Sequence, residues 1–381
     1  MKRLYNLVFM TLLFYGVKAQ KFRQYKTLDY MAYLSASTSL SEPSSAFEKS
    51  LHQDLKFTPL DDYTIPVVFH ILYSSDEERL SKSVILSQLE ALNEDFSLQS
   101  DNLGKDDEAM KARKRVKSYY DAAVDARIRF CLAGIDAKGI VTEGIVYKPS
   151  TQKVWTEYNG MKEKTGGSEA WDVASYMNVW VVNLEEGNSG YAQMPYGPAQ
   201  WDGIVIDYKY FGRGGMAVFP YDEGHTLTHL VGNYLGLYPL WGPYPCGDDY
   251  VEDTPIHNAP NHRCPEDTHY SLCDGHPVEM TMNFMDNTFD ACLSMFTRGQ
   301  RNRMQKVLHE KGARGGLNTP VTPCHQEGFD SVEELWMAEE LGSHLAPAVL
   351  SVRPNPAQRR IWISYDQGDV DFNDVSYQMQ V

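Results

Sequence analysis

Thr228-His229-Leu230-Val231-Gly232-Asn233-Tyr234-Leu235-Gly236-Leu237-Tyr238-Pro239 is the stretch that decides how this chain is read. From Asp222 to Gly236 the apolar residues Leu227, Leu230, Val231, Tyr234 and Leu235 recur with a period near 3.6, which predicts a helix. His229 and Asn233 then fall one turn apart on a single face. Gly236 is placed to end the helix or turn the chain.

Outward from this helix, strands alternate with helices, the pattern of an α/β layer. Ile65–Tyr73 is a β-rich apolar run and predicts a buried strand. Ser81 can cap a helix whose apolar positions Ile85, Leu89, Leu92 and Phe96 keep helical spacing. Arg127–Leu132, Asn178–Leu184 and Gly203–Asp207 are strand-like. Residues 240–296 are rich in Cys, Pro, Asp, Asn and His and read as loops, and Thr297–Glu310 reads as a closing helix.

The ends differ from this middle. Lys2 and Arg3 precede the apolar run Leu4–Val17, and Val17-Lys18-Ala19 offers a small-residue cleavage site, so residues 1–19 read as a secretory signal peptide. No other apolar run approaches the roughly 18–20 residues that span a bilayer. Residues 20–62 are polar, with a Ser/Pro-rich patch at Ser39–Ser45, and read as a propeptide or N-terminal extension. A domain over 63–320, an acidic linker over 321–350 and a C-terminal segment over 351–381 follow. Without Lys2, Arg3 and Lys18 of the signal, 32 basic and 51 acidic residues leave a charge of −19, against the −16 of the full chain. That sign argues against nucleic acid and anionic lipid as partners. Six cysteines in an exported chain suit disulfides, and Cys246, Cys264, Cys273 and Cys292 cluster while Cys131 and Cys324 stand apart.

Several segments in one order resemble the pappalysin (ulilysin-like) family of metzincin metalloproteases. They are Ile65-Pro66-Val67-Val68-Phe69-His70, Ser189-Gly190-Tyr191-Ala192-Gln193-Met194-Pro195, the helix around His229, and Gly247–Pro255 with its Asp-Thr-Pro ending. Asn283–Cys292 and Met295-Phe296-Thr297-Arg298-Gly299-Gln300 complete the set, so the resemblance covers roughly residues 60–310. It implies a twisted, mostly parallel sheet with helices above it and a loop-rich, disulfide-bonded lower subdomain. Met285 falls at the position of the Met-turn.

The chemistry of that family is incomplete here. Metzincins carry H-E-x-x-H-x-x-G-x-x-H on this helix, whereas this chain reads H-L-x-x-N-x-x-G-x-x-P. Zinc hydrolysis needs three protein ligands with one position open for water, and a carboxylate to take the water's proton. His229 matches the first ligand, but Asn233 and Pro239 stand at the second and third. Leu230 replaces the general base, a loss that alone costs about 10²–10⁴ in rate. Asn287 stands where the resemblance expects a tyrosine. Tyr25-Lys26-Thr27 corresponds to the Cys-Gly-Thr with which prosegments of the family cap the zinc.

The expectation is therefore a secreted, catalytically inactive homologue, without zinc, that binds a peptide or protein. The alternative is an active zinc endopeptidase with a rearranged site at His225, one turn before His229, helped by a carboxylate such as Glu223. The scaffold signals are better kept. The resemblance implies disulfides Cys246–Cys273 and Cys264–Cys292, with Cys131–Cys324 as the remaining pair and other pairings open. It also links Asp249 and Thr254 to a structural calcium, an ion that oxygen-rich loops suit. Gly190, Tyr191 and Ala192 correspond to the rim strand of the substrate cleft, where a peptide could add by backbone pairing, though a plain edge strand fits equally. Finally, Val352-Arg353-Pro354-Asn355-Pro356-Ala357, followed by Ile361-Trp362-Ile363, resembles the start of a type IX secretion sorting domain. That implies a bacterial protein, secreted or held at the cell surface.

Overall fold

A computed structural model of the chain describes residues 22–37, 47–49, 51, 62–99, 119, 121–136, 138–156, 158–195, 197–318, 324, 350–355 and 360–365. The signal-peptide reading and most of the acidic linker lie outside these residues. The chain divides into two units, Met1–His325 and Gln326–Val381. The second contributes an antiparallel pair, Leu350–Asn355 with Arg360–Tyr365.

In the first unit the central strand is β1 (Tyr63–Tyr73), almost wholly buried, its apolar run interrupted by exposed Thr64 and by His70, which bonds Ser168 and Asn178. One edge pairs in parallel with β2 (Ile128–Leu132) and then, further along, with β3 (Ile145–Pro149). The other edge pairs in parallel with β4 (Met177–Val182), which pairs with β6 (Ile204–Asp207). The edge strand beyond, β5 (Gly190–Ala192), runs antiparallel to β6. The mostly parallel α/β layer expected from the sequence is thus present.

Alternation sorts the side chains. Ile65, Val67, Phe69 and Ile71 of β1 join Val179 and Val181 of β4 in the main core. That core is roofed by α2 (Lys82–Phe96) through Val84, Ile85, Leu92 and Phe96, and by α3 (His225–Tyr234) through Leu227, Leu230, Val231 and Tyr234. Ser81 caps α2 by accepting from the Val84 amide, as its sequence position predicts. Trp180 and Val182 of β4 and Val205 of β6 project into a second core. Its other members include Trp155, Met161 and Tyr191, and also Tyr30 and Leu34. The last two belong to α1 (Thr27–Ser37), inside the stretch read as an extension.

Below α3, the loop-rich region closes on α4 (Arg298–Leu308). Thr297 and Gln300 form a reciprocal capping box at its start. Asn283 and Gln300 exchange two side-chain hydrogen bonds, tying the loop that carries Met285 to this helix. The cysteines pair as Cys246–Cys273, Cys264–Cys292 and Cys131–Cys324.

Candidate functional site

α3 is buried on every side, so each polar side chain on it must find a partner within the protein. Gly224 enters the helix with φ +87, a left-handed conformation, and Gly236 leaves it with φ +91 where a Cβ would meet the Phe47 ring at 2.7 Å. Gly232 faces down: a Cβ there would lie 2.5 Å from the sulfur of Met285, so that methionine sits directly beneath the helix. On the other side Leu230 packs against β5, with Cδ1 2.7 Å from where a Gly190 Cβ would be. Its side chain belongs to the main core and offers nothing that could take a proton.

His229 is fully enclosed. Its Nδ1–H donates to the Phe284 carbonyl at 2.9 Å, the tautomer that an acceptor-only carbonyl demands. Burial first, and then the Arg23 guanidinium, hold its pKa down at about 3, so the ring is neutral. One face of that ring is covered by Tyr25, whose ring lies parallel within 5° at a centroid distance of 3.7 Å. Asn233, one turn on, is engaged on both ends of its amide. It accepts from the Thr27 hydroxyl at 2.8 Å and donates to the Leu237 carbonyl at 3.0 Å. Pro239 is buried in the turn that follows and has only a carbonyl, which accepts from the Gly242 amide.

His225 does not share a site with His229. Its Nδ1 pairs with Asp95 of α2 at 2.8 Å, and Glu223 lies 3.6 Å from Nε2. Burial works against a charged ring, yet the Asp95 carboxylate outweighs it and raises the imidazole pKa above its ordinary value. Thr228 completes the arrangement by donating to the same Asp95 oxygen, so His225 is engaged within the protein. Among the described residues, no group of three or more His, Cys, Asp or Glu side chains is placed to hold a metal ion. With one neutral histidine, an occupied amide, a proline and a leucine, the residues at the catalytic-zinc position do not fit zinc.

Sequence reasoning missed what fills the cleft. Gln24 to Lys26 runs beside β5. The Ser189 amide donates to the Gln24 carbonyl, the Lys26 amide donates to the Gly190 carbonyl, and the Thr27 hydroxyl accepts from the Ala192 amide. The Arg23 side chain, wholly buried, enters a polar pocket beside α3. It pairs with Asp290 at 2.5 Å and donates to Asn287 Oδ1, the Thr226 hydroxyl and the Thr288 carbonyl. Asn287 answers by donating to the Arg23 carbonyl. Of the rim residues, Tyr191 turns its ring away into the second core and donates to the Tyr158 carbonyl, so only backbone faces the strand.

Asp249 and Thr254 do come together. The Thr254 hydroxyl lies 2.8–3.0 Å from both Asp249 carboxylate oxygens and 2.8 Å from the Val251 carbonyl. Burial pushes the Asp249 carboxyl up to about 7, the state of a desolvated carboxylate with little positive charge nearby.

The sequence model of the peptidase family described as pregnancy-associated plasma protein-A matches residues 160–309. An extracellular metalloprotease of Arthroderma benhamiae is 26% identical over 295 residues, 74% of this chain and 84% of that protein. Mature mirolysin of Tannerella forsythia, solved with a cleaved peptide, is 35% identical. That match covers 68% of this chain and 96% of mirolysin, with a TM-score of 0.62. A mutant of promirolysin from the same organism is 32% identical, covering 78% of this chain and 97% of its own, with a TM-score of 0.68. A third of the residues in common across nearly the whole of a solved metzincin, on the same sheet-and-helix frame, make this chain a member of the pappalysin family of metzincin metalloproteases.

Proposed function

We propose that this chain is a catalytically inactive pappalysin-like protein, exported from the cell, whose inherited cleft holds an extended peptide strand and does not cut it. The observation that carries this reading is the state of the α3 face. His229 is neutral and stacked under Tyr25, while Leu230, Asn233 and Pro239 supply neither a base nor two further ligands. Without them no residue here can activate water at the family's position.

What the cleft retains is strand recognition. Backbone pairing along β5 accepts any sequence, whereas the pocket of Asp290, Asn287 and Thr226 selects a guanidinium through charge and a fan of acceptors. A mature relative has been solved in complex with a cleaved peptide, which is in keeping with a peptide-holding role. Export is supported by the extracellular relatives and by the three disulfides. Among the described residues no helix is long and apolar enough to cross a membrane. A bacterial source and a type IX sorting segment stay part of this reading through the Val352–Ala357 motif. Calcium belongs to it as a structural ion, which Asp249, Thr254 and the Val251 carbonyl would hold as oxygen donors.

Metal analysis of the purified protein, paired with cleavage assays on unstructured protein and arginine-containing peptides, tests the core of the proposal. Substoichiometric zinc and background cleavage are expected. Stoichiometric zinc with cleavage that a chelator and His229→Ala both abolish would overturn it.

A further inference from the structure

We infer that residues 22–37, together with Phe47 and Glu48, are a retained part of the folded protein, an internal ligand fixed in the cleft and not a prosegment released on maturation. The inference rests on the reading of a metal-free cleft, because the strand is fastened by contacts that need no metal. At the point where the family's resemblance expects a cysteine held through zinc, Tyr25 lies directly on the His229 ring. On either side of it, Arg23 and Thr27 reach Asp290, Asn287 and Asn233, positions at or beside the lost chemistry.

Three further attachments make the segment structural. Tyr30 and Leu34 of α1, exposed by 0% and 1%, pack against Trp180, Tyr191 and Val205 on the second face of the sheet. Tyr30 also donates to Asn159 and accepts from the buried Lys162 ammonium. Beyond α1, Phe47 seats against Gly236 at the end of α3, and Glu48 forms a two-pronged ion pair with Arg303 of α4. Arg303 in turn donates to the Gly236 carbonyl. Removing the segment would bare an aromatic face of the sheet. It would also take away the Arg23 guanidinium, which is wholly buried and pairs with Asp290, and breaking a buried ion pair from one side is costly. A removable prosegment should leave behind a surface that water can accept, and this one would not.

The test is a nick. A protease recognition sequence in a Gly/Ser linker, inserted after Ser37 in the full chain, is cut, and the product is passed over a sizing column. The fragment ending at Ser37 is expected to stay with the body, and a labelled synthetic peptide of residues 22–37 is expected not to replace it over days. Dissociation of the fragment from a body that keeps its circular dichroism and its melting transition would overturn the inference. Tyr25→Ala is expected to lower Tm by on the order of 10 °C. Tyr25→Phe, which keeps the ring stacked on His229, is expected to retain most of the parent's Tm. A Tyr25→Ala protein as stable as its parent would count against the stacking role. Cleavage assays on the nicked protein separate the two readings. Release without proteolysis overturns only retention, and retention with zinc-dependent proteolysis overturns only the inactive cleft.

Discussion

At the scale of single residues, the cleft is governed by charges out of reach of water. Arg23 and Asp290 are both fully buried, and breaking such a pair from one side strands a charge. Asp290→Ala is expected to cost about 3–5 kcal/mol in chemical denaturation, whereas an exposed pair such as Lys26–Asp29 should cost about 0–1 kcal/mol. Asp286, beside Met285, supplies a pH prediction. Burial pushes its carboxyl up to about 7, against hydrogen bonds from Asn261 and the Asn287 amide that favour the charged form. A carboxyl whose pKa rises on folding stabilises fully below its unfolded value. That contribution is lost as pH climbs through the folded value. Stability should therefore fall between about pH 4 and 7 on account of this group, and Asp286→Asn should flatten that slope in melts recorded across the range. A slope identical in the variant would assign the effect elsewhere.

At the scale of elements, α3 is fixed by close approach to its neighbours. Gly232 leaves room for the Met285 sulfur, and an added methyl at 2.5 Å forces either the helix or the loop to move. Gly232→Ala, although it raises helix propensity by roughly 1 kcal/mol, is expected to destabilise by about 1–3 kcal/mol through overpacking. Calorimetry of the variant decides the sign. The same element explains why restoring the family's residues should not restore activity. With Leu230→Glu, Asn233→His and Pro239→His combined, Tyr25 still covers His229 and the strand still lies along β5. Cleavage should stay at background in the intact chain, and chelator-sensitive proteolysis from that triple variant would contradict the retained strand. Most of these elements were legible beforehand: β1, β4, β6, α2, α3 and α4 all follow from apolar period and capping residues. β3 was missed because its residues, Ile145-Val146-Tyr147-Lys148-Pro149, are half-buried at an edge and neither alternate cleanly nor form an apolar run. α1 left a readable signal in Thr27, Tyr30 and Leu34, its buried residues at helical spacing, but it sat in a polar stretch read as an extension.

At the scale of the whole molecule, the first unit is tied together by long-range links. Cys131–Cys324 joins residues 193 apart, and the Arg314 guanidinium, buried over the Tyr234 ring, pairs with Asp202 and donates to the Tyr234 carbonyl at the end of α3. If Asp249 and Thr254 hold calcium, a chelator should lower Tm and added calcium should restore it with a logarithmic dependence on concentration. Asp249→Asn should remove that response. A Tm indifferent to both reagents would leave the loop as a hydrogen-bonded turn.

The sequence alone determined the frame and the departure from the family's zinc motif. Periodicity in β1, α2 and α3 reflects a core that each element must face, and Leu230 and Pro239 have no side-chain donor atom while Asn233 offers only an amide, whatever surrounds them. Only the tertiary structure decided what lies against these positions. Arg23 meets Asp290 across 267 positions, and Tyr25 meets His229 across 204 (229 − 25). Pairings that distant have no period and no local motif, because the pocket that rewards them exists only once the sheet, the helix and the lower loops have closed around it.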